Sequence, residues 1–213
     1  PIAQFCQENG VECFRGDEAD VLDRFYKAAV TKSPDHVVRL TGDCPLIDPE
    51  IIDKVILEHI SAENDYTSNT LEPSYPDGLD VEVISIESVD KAWRAARLPS
   101  EREHVTPFIH RRPDRFRLGM VQNAHDLSAF RWTVDTNYDL QFVRRVFELL
   151  TPTKPNFVMA DIINLLETHP ELSKMNEGAV RNDGARGSRI ADAPFLAKRY
   201  NHARYKKSQD LFN

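Results

Sequence analysis

The sequence holds no apolar run approaching the roughly 18–20 residues that span a bilayer. It also lacks a basic segment leading into a short apolar one, so no secretion signal is visible. There is no excess of positive charge: the formal net charge is −7. This argues against a nucleic-acid partner, which needs a basic surface to displace counterions, although a local cluster can still bind one small anionic nucleotide. Cysteine is scarce. Cys6, Cys13 and Cys44 are odd in number and lack metal-ligand spacing, which fits reduced thiols in a cytoplasmic protein. No internal repeat is present. The chain opens at Pro1 rather than at a methionine, so any upstream targeting segment would lie out of view.

What is present is ordinary for a soluble globular chain. The 213 residues are 41% hydrophobic and 29% charged, enough for one α/β domain with a buried core, or one domain and an appendage. Ile2–Gln7 reads as the last turns of a helix, stopped by Asn9-Gly10. Val11–Phe14 alternates as a short strand, and 17–31 is helical with Val21, Leu22, Phe25 and Ala29 on one face. His36–Thr41 is a strand, and Asp48-Pro49 opens a helix whose stripe is Ile51, Ile52, Val55, Ile56 and Ile60. Strands are expected over 65–70, 79–86, 116–121 and 130–134, and helices over 88–96, 102–110 and 159–168. Thr136 and Asp139 cap one more helix, which carries Leu140, Val143, Phe147 and Leu150. This alternation predicts a mostly parallel, three-layer α/β sheet over residues 1–175. From residue 176 to 213 the chain reads as a loop-rich tail with scattered glycines and a basic end.

Asp43 follows the strand Val37-Val38-Arg39-Leu40 in a Gly-Asp turn, and Asp135 ends the segment Phe130-Arg131-Trp132-Thr133-Val134. Open α/β sheets hold ligands at such carboxyl ends. Two aspartates there suit Mg²⁺, which takes one or two carboxylates and completes its shell with phosphate oxygens and water. The plain alternative is that each caps the helix or turn after it. Asp80 and Glu82 share one face of their strand and could accept hydrogen bonds from sugar hydroxyls, or could merely face water. Glu103 and His104 sit in a charged helix start, which is usually only solvated. Arg15 and Arg24 could meet a nucleotide phosphate, although an Asp20–Arg24 pair one helical turn apart explains Arg24 equally well. Arg39, the charge that interrupts its strand, joins them as a substrate-binding candidate.

Five segments in this order resemble the spore-coat polysaccharide biosynthesis cytidylyltransferases, relatives of the acylneuraminate and deoxy-octulosonate cytidylyltransferases. They are Arg15-Gly16 with Asp20–Tyr26, Val38–Asp48, Gly78–Val83, Glu101–Pro107 and Arg131–Asp135. The resemblance runs from Pro1 to about Asn182 and implies a Rossmann-like nucleotide-diphospho-sugar transferase fold. It implies a CTP-dependent transfer to a sugar with Mg²⁺, in which Asp43 and Asp135 bind the metal. It places Asp80, Glu82, Glu103 and His104 on the sugar side. A homodimer is expected by analogy.

The resemblance implies a family that begins with a strand, a lysine-ended loop that cradles the triphosphate, a helix and a second strand; the sequence here starts at Pro1, past the place expected for that unit. On that ground this chain is expected to turn over CTP poorly or not at all. Arg204–Leu211 resembles the opening of a glutamate-1-semialdehyde-type aminotransferase domain, which implies a fused domain downstream. Two competing readings are a GT-A-type glycosyltransferase and a folded interaction module without catalysis. The former usually carries an Asp-x-Asp metal motif, to which Asp80-Val81-Glu82 is the nearest match.

Overall fold

A computed structural model describes residues 1–176 and 190–197. Its elements run α1 (Ile2–Glu8), α2 (Val21–Val30), β1 (His36–Arg39), α3 (Pro49–Ser61), β2 (Tyr66–Ser68) and β3 (Glu82–Ser85). There follow α4 (Ile86–Ala95), α5 (Pro99–His104), α6 (Pro107–His110), β4 (Leu118–Met120), α7 (Asn137–Leu150), α8 (Met159–Thr168) and α9 (Pro170–Ser173). The chain divides into two compact units. One takes in Pro1–Asp35, Val89–Arg111 and the described residues 190–197; the other takes in His36–Ser88 and residues 112–176.

The second unit holds the sheet, in the order β1-β3-β2-β4. β3 runs antiparallel to both β1 and β2, while β2 and β4 are parallel. The α/β class is as expected, but the sheet is mixed rather than mostly parallel. The reason lies in the connections. α3 separates β1 from β2, whereas residues 69–81 join β2 to β3 without a helix, and a chain that turns back without a crossover pairs antiparallel. Both faces of β3 are buried. The core packs Leu79, Val81 and Val83 against Ile51 and Val55 of α3, Phe142 and Val146 of α7, Ile162 of α8, and Trp132. Each such side chain contributes about 1.5–3 kcal/mol when fully removed from water.

Several expected boundaries shift. Val11–Phe14 forms no strand. Residues 130–134 make a single bridge, between Arg131 and Asp77, instead of a strand. The expected helix over 102–110 is two, because Pro107 cannot donate to a continuing helix and Val105 turns to a φ of +70°. The Asp48 and Thr136 caps form as expected: Asp48 accepts from Glu50 N at 2.8 Å and Thr136 Oγ1 from Asp139 N at 3.2 Å. Of the expected tail only residues 176 and 190–197 are described, and the aminotransferase-like segment 204–211 lies outside the described residues. Among the described residues no helix is long and apolar enough to cross a membrane.

The first unit is helical. Asp20 caps α2 by accepting from Asp23 N at 3.0 Å, and its other oxygen takes the guanidinium of Arg102 on α5. The expected Asp20–Arg24 pair therefore does not form; Arg24 donates to the Asp17 carbonyl at 3.1 Å. Glu101 is buried and accepts from Arg97 N and Leu98 N, closing the start of α5.

Candidate active site

Four residues past the end of β1, a turn closed by Cys44 N to Thr41 O (3.3 Å) exposes Asp43. Its backbone is tied to the second candidate segment, since the Asp43 carbonyl accepts from Val134 N at 2.8 Å and from Thr133 Oγ1 at 3.3 Å. Asp135, the next residue, is also exposed. The main chain thus brings the two aspartates, 92 positions apart in sequence, to one place.

Among the described residues, one oxygen of each carboxylate has no hydrogen-bond partner. Asp43 Oδ1 receives only the Cys44 Sγ–H, at 3.6 Å, and Asp135 Oδ2 takes Arg131 Nη2 at 2.5 Å. Burial pushes the Cys44 thiol up to about 12, so the group beside Asp43 is a neutral donor at neutral pH. The half-buried Asp80 carries a negative charge that adds to the upward shift of the same thiol. Among the described residues no three His, Cys, Asp or Glu side chains are arranged to hold a metal ion by themselves. Two exposed carboxylates with spare oxygens do fit a Mg²⁺ that brings phosphate and water ligands with it.

Behind Asp135 lies a network that the sequence reading missed. Arg131 Nε donates to Asp139 Oδ1 at 3.0 Å, Nη2 to Asp139 Oδ2 at 3.2 Å, and Nη1 to Asp77 Oδ2 at 3.4 Å. Asp139 Oδ2 also accepts from Asp135 N (3.1 Å), Thr136 N (2.8 Å) and Thr136 Oγ1 (2.9 Å), and Asn176 Nδ2 reaches its Oδ1 at 3.1 Å. Burial works to raise the Asp139 carboxyl, but these bonds outweigh it and hold the group far below the usual carboxylate range. The available signal was a lone arginine inside the apolar segment Phe130–Val134, eight residues before the capping Asp139.

The remaining candidates fall into two places. Arg39 and Glu82 stand opposite each other on β1 and β3 and form an ion pair. Glu82 is buried, and Tyr66 Oη donates to its other oxygen at 2.7 Å, so neither oxygen faces water alone. Arg15, Arg24, Glu103 and His104 belong to the first unit. Arg15 and Glu103 are exposed, Arg24 and His104 half-buried, and His104 Nε2 stands 4.0 Å from Glu103.

Comparisons with known proteins place the chain among relatives. A family model described as cytidylyltransferase matches residues 1–182. An uncharacterized protein of Methanocaldococcus jannaschii is 35% identical over 180 residues, covering 82% of this chain and 71% of the relative. The spore coat polysaccharide biosynthesis protein SpsF of Bacillus subtilis is 30% identical over 175 residues, covering 81% and 71% respectively. A solved cytidylyltransferase from Leptospira borgpetersenii shares the fold with a TM-score of 0.77 at 28% identity, over 84% of this chain and 74% of that one.

Proposed function

Since this chain belongs to the cytidylyltransferase family, we propose that it serves CTP-dependent activation of a sugar for a surface polysaccharide. Nucleotidyl transfer comes with the family; CTP as donor and a sugar as acceptor are the finer part of the proposal. The observation that supports it is the hydrogen bond from Val134 N to the Asp43 carbonyl, which joins the main chain of Asp43 to the segment that carries the exposed Asp135. Asp43 and Asp135 would hold Mg²⁺ through the oxygens they do not give to Cys44 and Arg131. When bound, the ion would screen the charge that gathers on the phosphates as the sugar hydroxyl attacks.

The chain's own groups have simpler tasks. Cys44 stays a thiol and donates to Asp43 without adding charge. The Thr133 hydroxyl and Val134 amide fix the Asp43 turn. Asp80 is kept as the carboxylate that would accept from a sugar hydroxyl, while Glu82 serves Tyr66 and Arg39. Arg15 and Arg24 for phosphate enter the proposal on residue type, and Glu103 and His104 for the sugar on sequence resemblance. A glycosyltransferase reading draws no support from Asp80-Val81-Glu82, because the second carboxylate of that motif is buried in an ion pair.

Pyrophosphate release by the full-length protein, with CTP, Mg²⁺ and a panel of sugars, tests the reading. Alanine at Asp43 or Asp135 is expected to lower release by about a hundredfold or more while thermal unfolding stays put. Undiminished release in either variant would remove that residue from the metal site.

A further inference from the structure

The reach of Arg131 exceeds that of a simple ion pair. Its guanidinium is 11% exposed and touches Asp77, Asp135 and Asp139, which are 12%, 57% and 1% exposed. Two of these contacts are anchors. Asp139 grips Nε and Nη2 together, and Asp77 grips Nη1 from the neighbouring bridge, where Asp77 N donates to Phe130 O at 2.9 Å and Trp132 N to Asp77 O at 2.6 Å. The third is directed outward, where Nη2 holds one oxygen of the solvent-facing Asp135 carboxylate. Asp139 fixes the same residue a second way by accepting from its backbone N–H. Side chain and main chain of Asp135 are therefore both set by one arginine–aspartate unit.

We infer that Arg131 is a positioning residue for the metal site: it holds Oδ2 of Asp135 so that Oδ1 alone is presented to a divalent cation. The inference rests on the reading of Asp135 as a metal ligand. A side chain as exposed as Asp135 would otherwise sample several rotamers, and freezing one in advance spares that entropy when the cation arrives. The fork geometry of arginine is required. Lysine, a single point charge, cannot meet Asp139 and Asp135 in two directions at once. Because Asp135 is already committed through one oxygen, it acts as a monodentate ligand, as Mg²⁺ sites commonly demand.

The test uses the full-length protein and follows Mn²⁺ by electron paramagnetic resonance in the presence of CTP, alongside Mg²⁺ titrations of pyrophosphate release. Arg131→Lys is expected to raise the half-saturating Mn²⁺ concentration about tenfold, and to recover most of its lost turnover at high Mg²⁺. A purely structural arginine would lower turnover equally at every metal concentration. Should Arg131→Lys fail to fold, Asp77→Asn decides, with a rise of about threefold expected. An unchanged half-saturation in the deciding variant, while Asp135→Asn loses the metal, overturns the inference and leaves the function standing. If Asp135→Asn itself binds Mn²⁺ normally, the metal reading fails along with it.

Discussion

His59 has no exposed surface, and its ring is tied on both sides. Nε2 stands 3.1 Å from His36 Nδ1, and Nδ1 stands 3.0 Å from Thr67 Oγ1, which also accepts from Asn64 Nδ2 at 3.1 Å. Burial, seconded by His36 and opposed by Asp65, pushes the imidazole down from 6.5 to about 4. The folded-state value lies below the unfolded one, so the unfolded chain takes up this proton first as pH falls. Stability from this site is complete above about pH 6.5 and is lost between there and about pH 4. The gap is worth about 3 kcal/mol at most. Urea unfolding at pH 7 and pH 5 should show a smaller loss for His59→Gln than for the parent; equal losses would mean that other groups govern the acid limb.

At the scale of elements, two connections set the active-site end of the sheet. Asp48 is buried and caps α3 through Glu50 N, while its second oxygen accepts from Met159 N at 2.8 Å and so fixes the start of α8. Asp48→Ala orphans both amides and is expected to cost about 2 kcal/mol in a urea titration. Gly78 matters for a different reason. Its φ is +112°, and a Cβ there would stand 2.6 Å from Thr133 N and from the Trp132 carbonyl carbon. Neither backbone atom can yield without moving the segment that leads to Asp135. Gly78→Ala is therefore predicted to destabilise by about 2 kcal/mol or more and to lower turnover in the surviving folded fraction. Wild-type turnover per folded molecule would show that the segment tolerates the shift.

Across the whole molecule, legibility followed the range of the interactions. Helices α3 and α7 were readable because their caps and apolar stripes lie within a few neighbouring residues, as with Asp48-Pro49 and Thr136…Asp139. Strand direction was not, since it depends on whether a helix intervenes between partners, and residues 69–81 carry no mark of turning straight back. The same division holds at the site. Asp43 and Asp135 stood out through their local sequence contexts, yet the bond that joins them spans 91 positions, from the Asp43 carbonyl to Val134 N. The Arg131–Asp77 contact spans 54. Glu82 looked like an open strand face in alternation, and only its pairing with Arg39 and Tyr66 accounts for its burial.

Anomalous scattering from Mn²⁺ in crystals of the full-length protein grown with a non-hydrolysable CTP analogue addresses the shared metal site most directly. One peak within coordinating distance of both the Asp43 and the Asp135 carboxylates, bridged to the nucleotide phosphates, is the predicted result. A nucleotide-bound Mn²⁺ that touches neither side chain would contradict it.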